Sequence, residues 1–270
     1  MLNELLPLLA CPWCGGHPLE IVPTAGPAGA TTVLLGCTTC QRTSEVRDGI
    51  WHAMGDRRAA RTPAQLSNVV PPTPQLYEKV WRVRSLSLIS RRPFPNDEEL
   101  GEMVAALSPG PGRVMLDVAC SEGLYARALA RAGSPVIAID HSLPFLERVR
   151  DRCRAEGLDV LPVRALAQHL PIIADGVQGV AIGGSLNEIG DQQAAIDEAG
   201  RVLNGSGRLF SMHLLRAHTF WGRALQRVLG PSGIHFPTLP DTHHLLSHAG
   251  LAATEVRTDG VVCRVTAARP

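Results

Sequence analysis

The stretch that decides the fold is residues 116–125, which read LDVACSEGLY. An apolar run over residues 113–118 leads into it, and a helical pattern follows over residues 122–132. Small residues at 119, 121 and 123 let a ligand approach the backbone, and the helix that follows offers its N-terminal amides to that ligand. This strand–loop–helix unit therefore predicts a ligand crevice at the carboxyl end of a buried strand.

Strands and helices alternate outward from this unit. The predicted strands cover residues 113–118, 135–139, 159–163, 177–182 and 207–213, and the clearest helices cover 122–132, 143–155 and 191–203. Residues 254–258 and 261–266 flank Asp259-Gly260, which is a good hairpin turn. The pattern predicts an α/β fold with a Rossmann-like, mostly parallel sheet and a terminal antiparallel hairpin.

Two carboxylates stand at the ends of the first two predicted strands. Asp117 is placed to accept a hydrogen bond from a cationic amine, and Asp140 is placed to accept both ribose hydroxyls of a nucleoside. Elsewhere such residues are ordinary surface carboxylates, but strand ends beside a small-residue loop favour cofactor binding. Dinucleotide-binding sheets share the feature, so it does not choose between cofactors.

Four cysteines near the start form two pairs, Cys11-Pro-Trp-Cys14 and Cys37-Thr-Thr-Cys40. The 22-residue loop between the pairs matches the ligand spacing of a zinc ribbon, in which each pair forms a knuckle that presents two thiolates. Two disulfides or four free thiols are the alternatives. Structural zinc is the favoured prediction, and closed four-thiolate coordination leaves no open position for catalysis.

Composition bounds the class of protein. The chain has 270 residues, of which 45% are hydrophobic, which is enough for a sizeable core. Its formal net charge is +1, so it lacks the excess of positive charge that is typical of polyanion-binding proteins. No apolar run is long enough to span a membrane, and the N-terminus lacks the basic region of a signal peptide, so we expect no membrane partner. Seven cysteines, four in metal spacing, fit a reducing cytoplasm, which is the expected location.

The chain divides into three predicted segments. Residues 1–55 form the zinc-ribbon module, residues 56–96 a linker with a connecting helix, and residues 97–270 the α/β domain. The linker contains Pro71-Pro72-Thr73-Pro74, which is typical of a stiff connection. The helical pattern begins at Gln75.

At this point several segments resemble class I S-adenosylmethionine-dependent methyltransferases. Residues 116–123 are similar to the first motif of that family, with Ala119 and Ser121 where the family has glycines. The segments VIAIDHS at 136–142, GGSLNE at 183–188 and RVLNGSG at 201–207 resemble later motifs. The resemblance covers about residues 97–268 and implies S-adenosylmethionine as the cofactor.

The resemblance also implies which residues contact that cofactor. The expected contacts are Tyr77, Asp117, Ala119, Cys120, Ser121, Gly123, Asp140, His141, Ser142, Leu166, Ala167, Gly183 and Gly184. Leu166 stands where the family usually has an Asp that contacts the adenine amino group.

The N-terminal part resembles the small zinc-ribbon proteins related to Trm112. The matching residues are the two cysteine pairs and Asp48-Gly49-Ile50. A subgroup of methyltransferases carries this ribbon ahead of the catalytic domain, and Tyr77 with Trp81 resembles that subgroup's connecting helix. The resemblance makes Cys11, Cys14, Cys37 and Cys40 the zinc ligands and Tyr77 a candidate lid residue.

No general base can be named from the sequence. His213, His235 and His243 are the candidates, although each is an ordinary structural or exposed histidine on its own. Methyl transfer from a sulfonium can proceed largely by alignment of the nucleophile, the methyl group and the sulfur. Cys120 has no evident histidine partner, so we expect a packing role for it rather than a nucleophilic one.

The leading functional prediction is a methyltransferase with a small-molecule acceptor. The first alternative is a tRNA, rRNA or protein methyltransferase whose ribbon and arginines bind the substrate. The second is a non-catalytic scaffold that keeps the cofactor fold. The sequence does not identify the acceptor, the type of methylation or the oligomeric state.

Overall fold

The structure is a computed structural model that describes residues 1–23, 32–59, 62–63 and 96–270. Tyr77 and the predicted connecting helix lie outside the described residues.

One sheet contains all eleven strands of the described chain, in the order β1-β2-β3-β4-β7-β6-β5-β8-β9-β11-β10. The strands are β1 Leu19–Val22, β2 Thr32–Cys37, β3 Thr43–Arg47, β4 Ile50–His52, β5 Met115–Val118, β6 Val136–Asp140, β7 Val160–Arg164, β8 Val177–Gly183, β9 Leu203–Leu214, β10 Ala252–Asp259 and β11 Val262–Ala268. The helices of the described part are α1 Leu2–Leu5, α2 Asn96–Leu107, α3 Leu124–Arg131, α4 Leu143–Glu156, α5 Gln192–Val202, α6 Phe220–Leu229 and α7 Leu239–His248.

The centre of the sheet is parallel and its ends are antiparallel. Strands β7, β6, β5, β8 and β9 run parallel, and β11 pairs antiparallel with both β9 and β10. This arrangement confirms the α/β class and the terminal hairpin. The sheet as a whole is more mixed than predicted, because β1 to β4 pair antiparallel with one another and extend the same sheet.

The N-terminal segment is joined to the α/β core along one strand. Strand β4 pairs parallel with β7, with Trp51 opposite Val163, and the Ala53 N–H donates to the Arg164 carbonyl over 2.9 Å. The Trp51 ring is fully buried, and its Nε1–H donates to Ser44 Oγ over 2.9 Å. The described residues 1–23 and 32–59 therefore share a core with the parallel sheet, and the predicted segment boundaries at 55 and 96 stay predictions.

Helices cover both faces of the parallel part. Met103 of α2, Leu129 of α3 and Val149 of α4 belong to one buried cluster. Ile196 of α5 and Leu246 of α7 belong to the other, together with buried side chains of the N-terminal segment. The carboxyl ends of the parallel strands are left to loops, and this edge carries the candidate site.

Candidate cofactor site and cysteine cluster

The loop after β5 has an alternating backbone conformation. Ala119, Ser121 and Gly123 have φ angles of 53°, 48° and 73°. Glycine adopts this left-handed region freely, whereas for other residues it costs about 1–2 kcal/mol each. The Ser185 hydroxyl donates to the Ala119 carbonyl over 2.9 Å and helps to hold the loop. Strain of this kind persists where the surrounding structure enforces it, and functional loops are typical places.

Asp117 lies beneath this loop. Its carboxylate is buried, and Oδ2 accepts a hydrogen bond from the Ala126 backbone N–H at 2.8 Å. The first amides of a helix have no partner within the helix, so a carboxylate at that place fixes where α3 begins. The structure directs this oxygen toward α3, and the expected contact with a cofactor amine stays a prediction.

Asp140 links the first loop to the end of β6. Its Oδ2 accepts from the Ser121 N–H at 3.0 Å, and its Oδ1 accepts from the Ser142 N–H at 2.8 Å. The Nδ1 atom of His141 lies 3.6 Å from Oδ1. A carboxylate oxygen has more than one lone-pair site, so Asp140 keeps acceptor capacity for ribose hydroxyls while it holds both backbone segments.

A cavity of about 420 Å³ opens beside Asp140 at the carboxyl ends of the strands. Six of the expected cofactor residues line it: Ala119, Ser121, Asp140, His141, Leu166 and Ala167. A larger groove of about 600 Å³ lies between α2 and strands β9 to β11. Because ligands of open α/β sheets bind outside the carboxyl ends of the strands, the smaller cavity is the candidate cofactor site.

Tyr77 lies outside the described residues, and the other expected residues do not line this cavity: Asp117, Cys120, Gly123, Ser142, Gly183 and Gly184. Cys120 is buried, and burial together with Asp117 and Asp140 raises the pKa of its thiol well above the ordinary value, as suits a packing residue. Ser142 is also buried.

The glycines have packing reasons of their own. A Cβ on Gly183 would lie 2.8 Å from the Tyr125 ring, and one on Gly123 would lie 2.9 Å from Val149 Cγ2. Gly184 has a φ of 82°. Close packing thus explains Gly183 and Gly123, and the left-handed backbone explains Gly184, without a ligand.

The candidate histidines lie away from the cavity. His213 is completely buried between Thr242, whose Oγ1 is 3.0 Å from Nε2, and Ser211, whose Oγ is 3.3 Å from Nδ1. Burial lowers the pKa of His213 to about 4, so its ring is neutral at pH 7. His235 and His243 are exposed and do not line the cavity. None of these three predicted candidates is therefore placed at the site.

Sequence reasoning missed several residues of this region. Gln168, His169 and Glu188 line the cavity, and so does Arg58 from the N-terminal segment. Asn187, four residues past the end of β8, receives a hydrogen bond from the Leu214 N–H at 2.8 Å and donates to the Leu214 and His235 carbonyls. Gln168 and His169 follow β7 and Glu188 follows β8, and these positions at strand ends could have indicated a ligand site. No feature of the sequence indicated Arg58.

The four predicted metal ligands lie together. Their sulfur atoms are all within 4.8 Å of one another, with 3.6 Å between Cys11 and Cys40 and 3.7 Å between Cys14 and Cys37. Four thiolates at 2.3 Å from a tetrahedral zinc ion lie about 3.8 Å apart, so the cluster fits that ion. All seven cysteines are free of disulfides, which sets aside the disulfide alternative.

The two knuckles have the same local geometry. Backbone N–H groups two and three positions further on point at the first sulfur of each pair: those of Trp13 and Cys14 at Cys11, and those of Thr39 and Cys40 at Cys37. Burial opposes charge on the Cys37 sulfur, but these amides and the neighbouring thiols lower its pKa to about 6, whereas at Cys11 burial prevails and raises the pKa to about 12. Thiolates are the form that binds a metal.

The first knuckle also contacts the segment after β4, which leads to the cavity. The Arg57 guanidinium donates to the carbonyl of Pro12, between Cys11 and Cys14. The next residue, Arg58, lines the candidate cofactor site. The cysteine cluster and the cavity are thus connected by a short run of chain.

Comparison with known proteins agrees with the fold. Residues 115–207 match a family model described as a methyltransferase domain. An uncharacterized chloroplastic methyltransferase of Arabidopsis thaliana is 26% identical over 231 residues, which are 77% of this chain and 62% of that protein. The chain thus spans less than two thirds of the length of that relative.

Two solved structures share the architecture. A geranyl diphosphate methyltransferase in complex with S-adenosylmethionine aligns with a TM-score of 0.58 and 14% identity over 76% of this chain and 95% of that chain. A complex between the Haloferax volcanii Trm112 methyltransferase activator and a putative methyltransferase aligns with a TM-score of 0.59 and 13% identity over 78% of this chain and all of that chain. The matches support a methyltransferase domain with the class I S-adenosylmethionine-dependent fold.

Proposed function

We propose that the protein transfers a methyl group from S-adenosylmethionine to a small-molecule acceptor. The observation that carries the proposal is the 420 Å³ cavity, which brings together the first loop, Asp140 and the segment after β7. These three parts meet at the carboxyl ends of adjacent parallel strands, where open sheets of this class bind nucleotides.

Each part of the cavity has a suitable chemistry. Asp140 and His141 would face the ribose, and Leu166, Ala167 and Gln168 would form the adenine end. Ala119 and Ser121 would lie along the methionine end, where their left-handed backbone brings the loop close. When bound, the cofactor supplies a methyl group that its sulfonium already activates.

The chain would act mainly by position. Because His213, His235 and His243 do not line the cavity, the main contribution proposed for the protein is to hold the acceptor in line with the methyl group and to exclude water. Proximity of this kind can supply about 7–11 kcal/mol of a barrier when the geometry is right.

The cysteine cluster would hold a structural zinc ion. Cys11, Cys14, Cys37 and Cys40 supply four sulfurs at a spacing that suits tetrahedral coordination. Such a site is closed, so the ion would stabilise the knuckles without taking part in methyl transfer.

Thermal melting with S-adenosylhomocysteine tests the cofactor site. A ligand at a hundredfold excess over its Kd stabilises by about 2.7 kcal/mol, or roughly 5–10 °C for a chain of this size. Ala167→Trp fills the proposed adenine end and should abolish the shift. Ala155→Trp makes the same change on the exposed side of α4 and should preserve it. No shift for the wild type at millimolar ligand would refute the proposal.

The nucleic-acid alternative has its own test. Affinity for tRNA or rRNA would fall steeply as salt rises, because bound phosphates release counterions. Absence of RNA binding at low salt would exclude this alternative. The scaffold alternative predicts cofactor binding without turnover on any acceptor.

A further inference from the structure

Helix α6, Phe220–Leu229, turns its apolar face to solvent, unlike an ordinary surface helix. It buries none of its residues, and Trp221, Leu225 and Val228 are 80%, 57% and 75% exposed. These three residues are spaced i, i+4 and i+7, so they form one apolar stripe. Such stripes normally face the core, and this one faces outward.

A polar residue attaches the other side of α6 to the body. The Gln226 side chain accepts from the Ala217 N–H at 2.8 Å and donates to the Leu215 carbonyl over 2.9 Å. Gln226 lies roughly 140° around the helix from Trp221, because each residue turns by about 100°. The hydrogen bonds therefore fix the helix with its apolar stripe turned away from the protein.

The stretch of sequence that contains α6 is basic. The sequence contains no Asp or Glu between Glu198 and Asp241. Arg227 is exposed on α6 on the same side of the stripe as Phe220, which is itself 70% exposed, whereas the exposed Arg223 lies roughly 160° around the helix from Trp221. A helix with tryptophan, phenylalanine and aliphatic residues beside arginines is typical of a segment that lies in a membrane interface.

We propose that α6 docks this protein onto an anionic lipid bilayer. The stripe would enter the acyl boundary, and Arg227 would contact acidic headgroups. Leu225 and Val228 favour lipid over RNA, since RNA surfaces use aromatic stacking and arginine rather than exposed aliphatic side chains. The sequence predicted no membrane partner because no apolar run could span a bilayer, but an interfacial helix needs no such run.

The position of α6 connects docking to the candidate site. Strand β9 runs parallel to β8, so the chain leaves β9 at the edge of the sheet where the cavity opens. Asn187 ties Leu214 and His235, on either side of α6, to the loop after β8. A docked bilayer would therefore present a lipophilic acceptor to this edge of the sheet. This suggestion about the acceptor rests on the proposed function, whereas the docking itself does not.

Vesicle binding tests the docking itself without cofactor or turnover. The full chain is sedimented with phosphatidylcholine vesicles that contain or lack phosphatidylglycerol. We expect binding to the acidic vesicles and a blue shift in Trp221 emission, isolated as the difference from Trp221→Phe. The double variant Leu225→Ser/Val228→Ser should bind at least about tenfold more weakly. Arg227→Gln should cost roughly fivefold, and Arg223→Gln, on the far side of α6 from the stripe, should cost less.

A matched variant separates this surface from exposed apolar residues in general. Ile21 on β1 is 44% exposed, and Ile21→Ser should leave vesicle binding unchanged. Four results would overturn the proposal: no binding of the wild type to acidic vesicles, equal binding of the double variant, a Trp221 already shielded from acrylamide in the free protein, or a stripe-dependent dimer or RNA complex in place of vesicle binding.

Discussion

Trp51 of β4 and Val163 of β7 stand side by side in parallel strands, and both side chains are fully buried. The pair joins the cysteine-bearing segment to the third strand of the parallel sheet. A ribbon attached only by a linker would keep its own small core, whereas here one buried cluster contains Leu9, Leu35 and Leu116. The stability of the two parts should therefore be coupled.

Replacement of Trp51 tests that coupling. Trp51→Ala removes the largest side chain of the fully buried set and its hydrogen bond to Ser44, so we expect a loss of about 3–5 kcal/mol in the free energy of unfolding. Urea unfolding measures it. Trp221→Ala is the control, because an exposed ring should cost less than about 0.5 kcal/mol. A small effect at Trp51 would contradict a shared core.

The cysteine cluster predicts one zinc ion per chain. Cys37→Ser should release the ion and lower the free energy of unfolding by at least about 3 kcal/mol, because metal binding contributes directly to folding in closed thiolate sites. Elemental analysis and thermal melting measure the two effects. Cys153→Ala, at a buried position in α4 outside the cluster, should retain the metal. Full zinc content in Cys37→Ser would be inconsistent with the assignment.

Ala119 predicts a stabilising substitution. Its φ of 53° suits glycine, so Ala119→Gly should raise the free energy of unfolding by about 1 kcal/mol. Ala128→Gly in the middle of α3 should change it in the opposite direction by a similar amount. Chemical unfolding of the wild type and the two variants measures both changes in the free energy of unfolding. A loss at position 119 would mean that the loop relaxes to another conformation in solution.

His213 predicts a dependence of stability on pH. Burial lowers its pKa from 6.5 to about 4, so the unfolded chain binds more protons than the folded chain between these values. Stability should therefore fall as pH decreases through this window, and this group should account for about 2 kcal/mol between pH 7.5 and 5.

Urea unfolding of His213→Gln at both pH values tests this assignment. The variant can keep a hydrogen bond to Thr242 and should lose that part of the dependence. The exposed His243→Gln should behave like the wild type. Equal pH dependence in the wild type and His213→Gln would disprove a neutral buried imidazole.

Local patterns predicted the architecture because they were strong. The alternation of apolar runs and helical segments located β5 to β9, and the Asp259-Gly260 turn located the terminal hairpin. The spacing of the cysteine pairs predicted a cluster that the folded chain brings together. Each of these signals depends on neighbours in sequence, so one chain suffices to find it.

Other features depend on contacts between distant segments, which no local pattern carries. Nothing in the short run 50–52 indicates that β4 pairs with β7. The sequence also does not reveal that Gly183 packs against Tyr125. Only the resemblance to class I methyltransferases suggested a ligand contact at Gly183. The outward stripe of α6 could not be told from a core-facing one, because periodicity gives the spacing of an apolar face without its direction.

The pairing of β4 with β7 also decides where this chain can be cut. Without β4, the backbone amides and carbonyls along Val160–Arg164 would form a bare sheet edge next to apolar side chains, which is a template for association with other chains. A fragment that begins at the α/β domain would carry this edge into solution. The N-terminal segment thus covers the edge of β7 and protects the α/β domain from aggregation. A shortened protein should therefore keep residues 1–59.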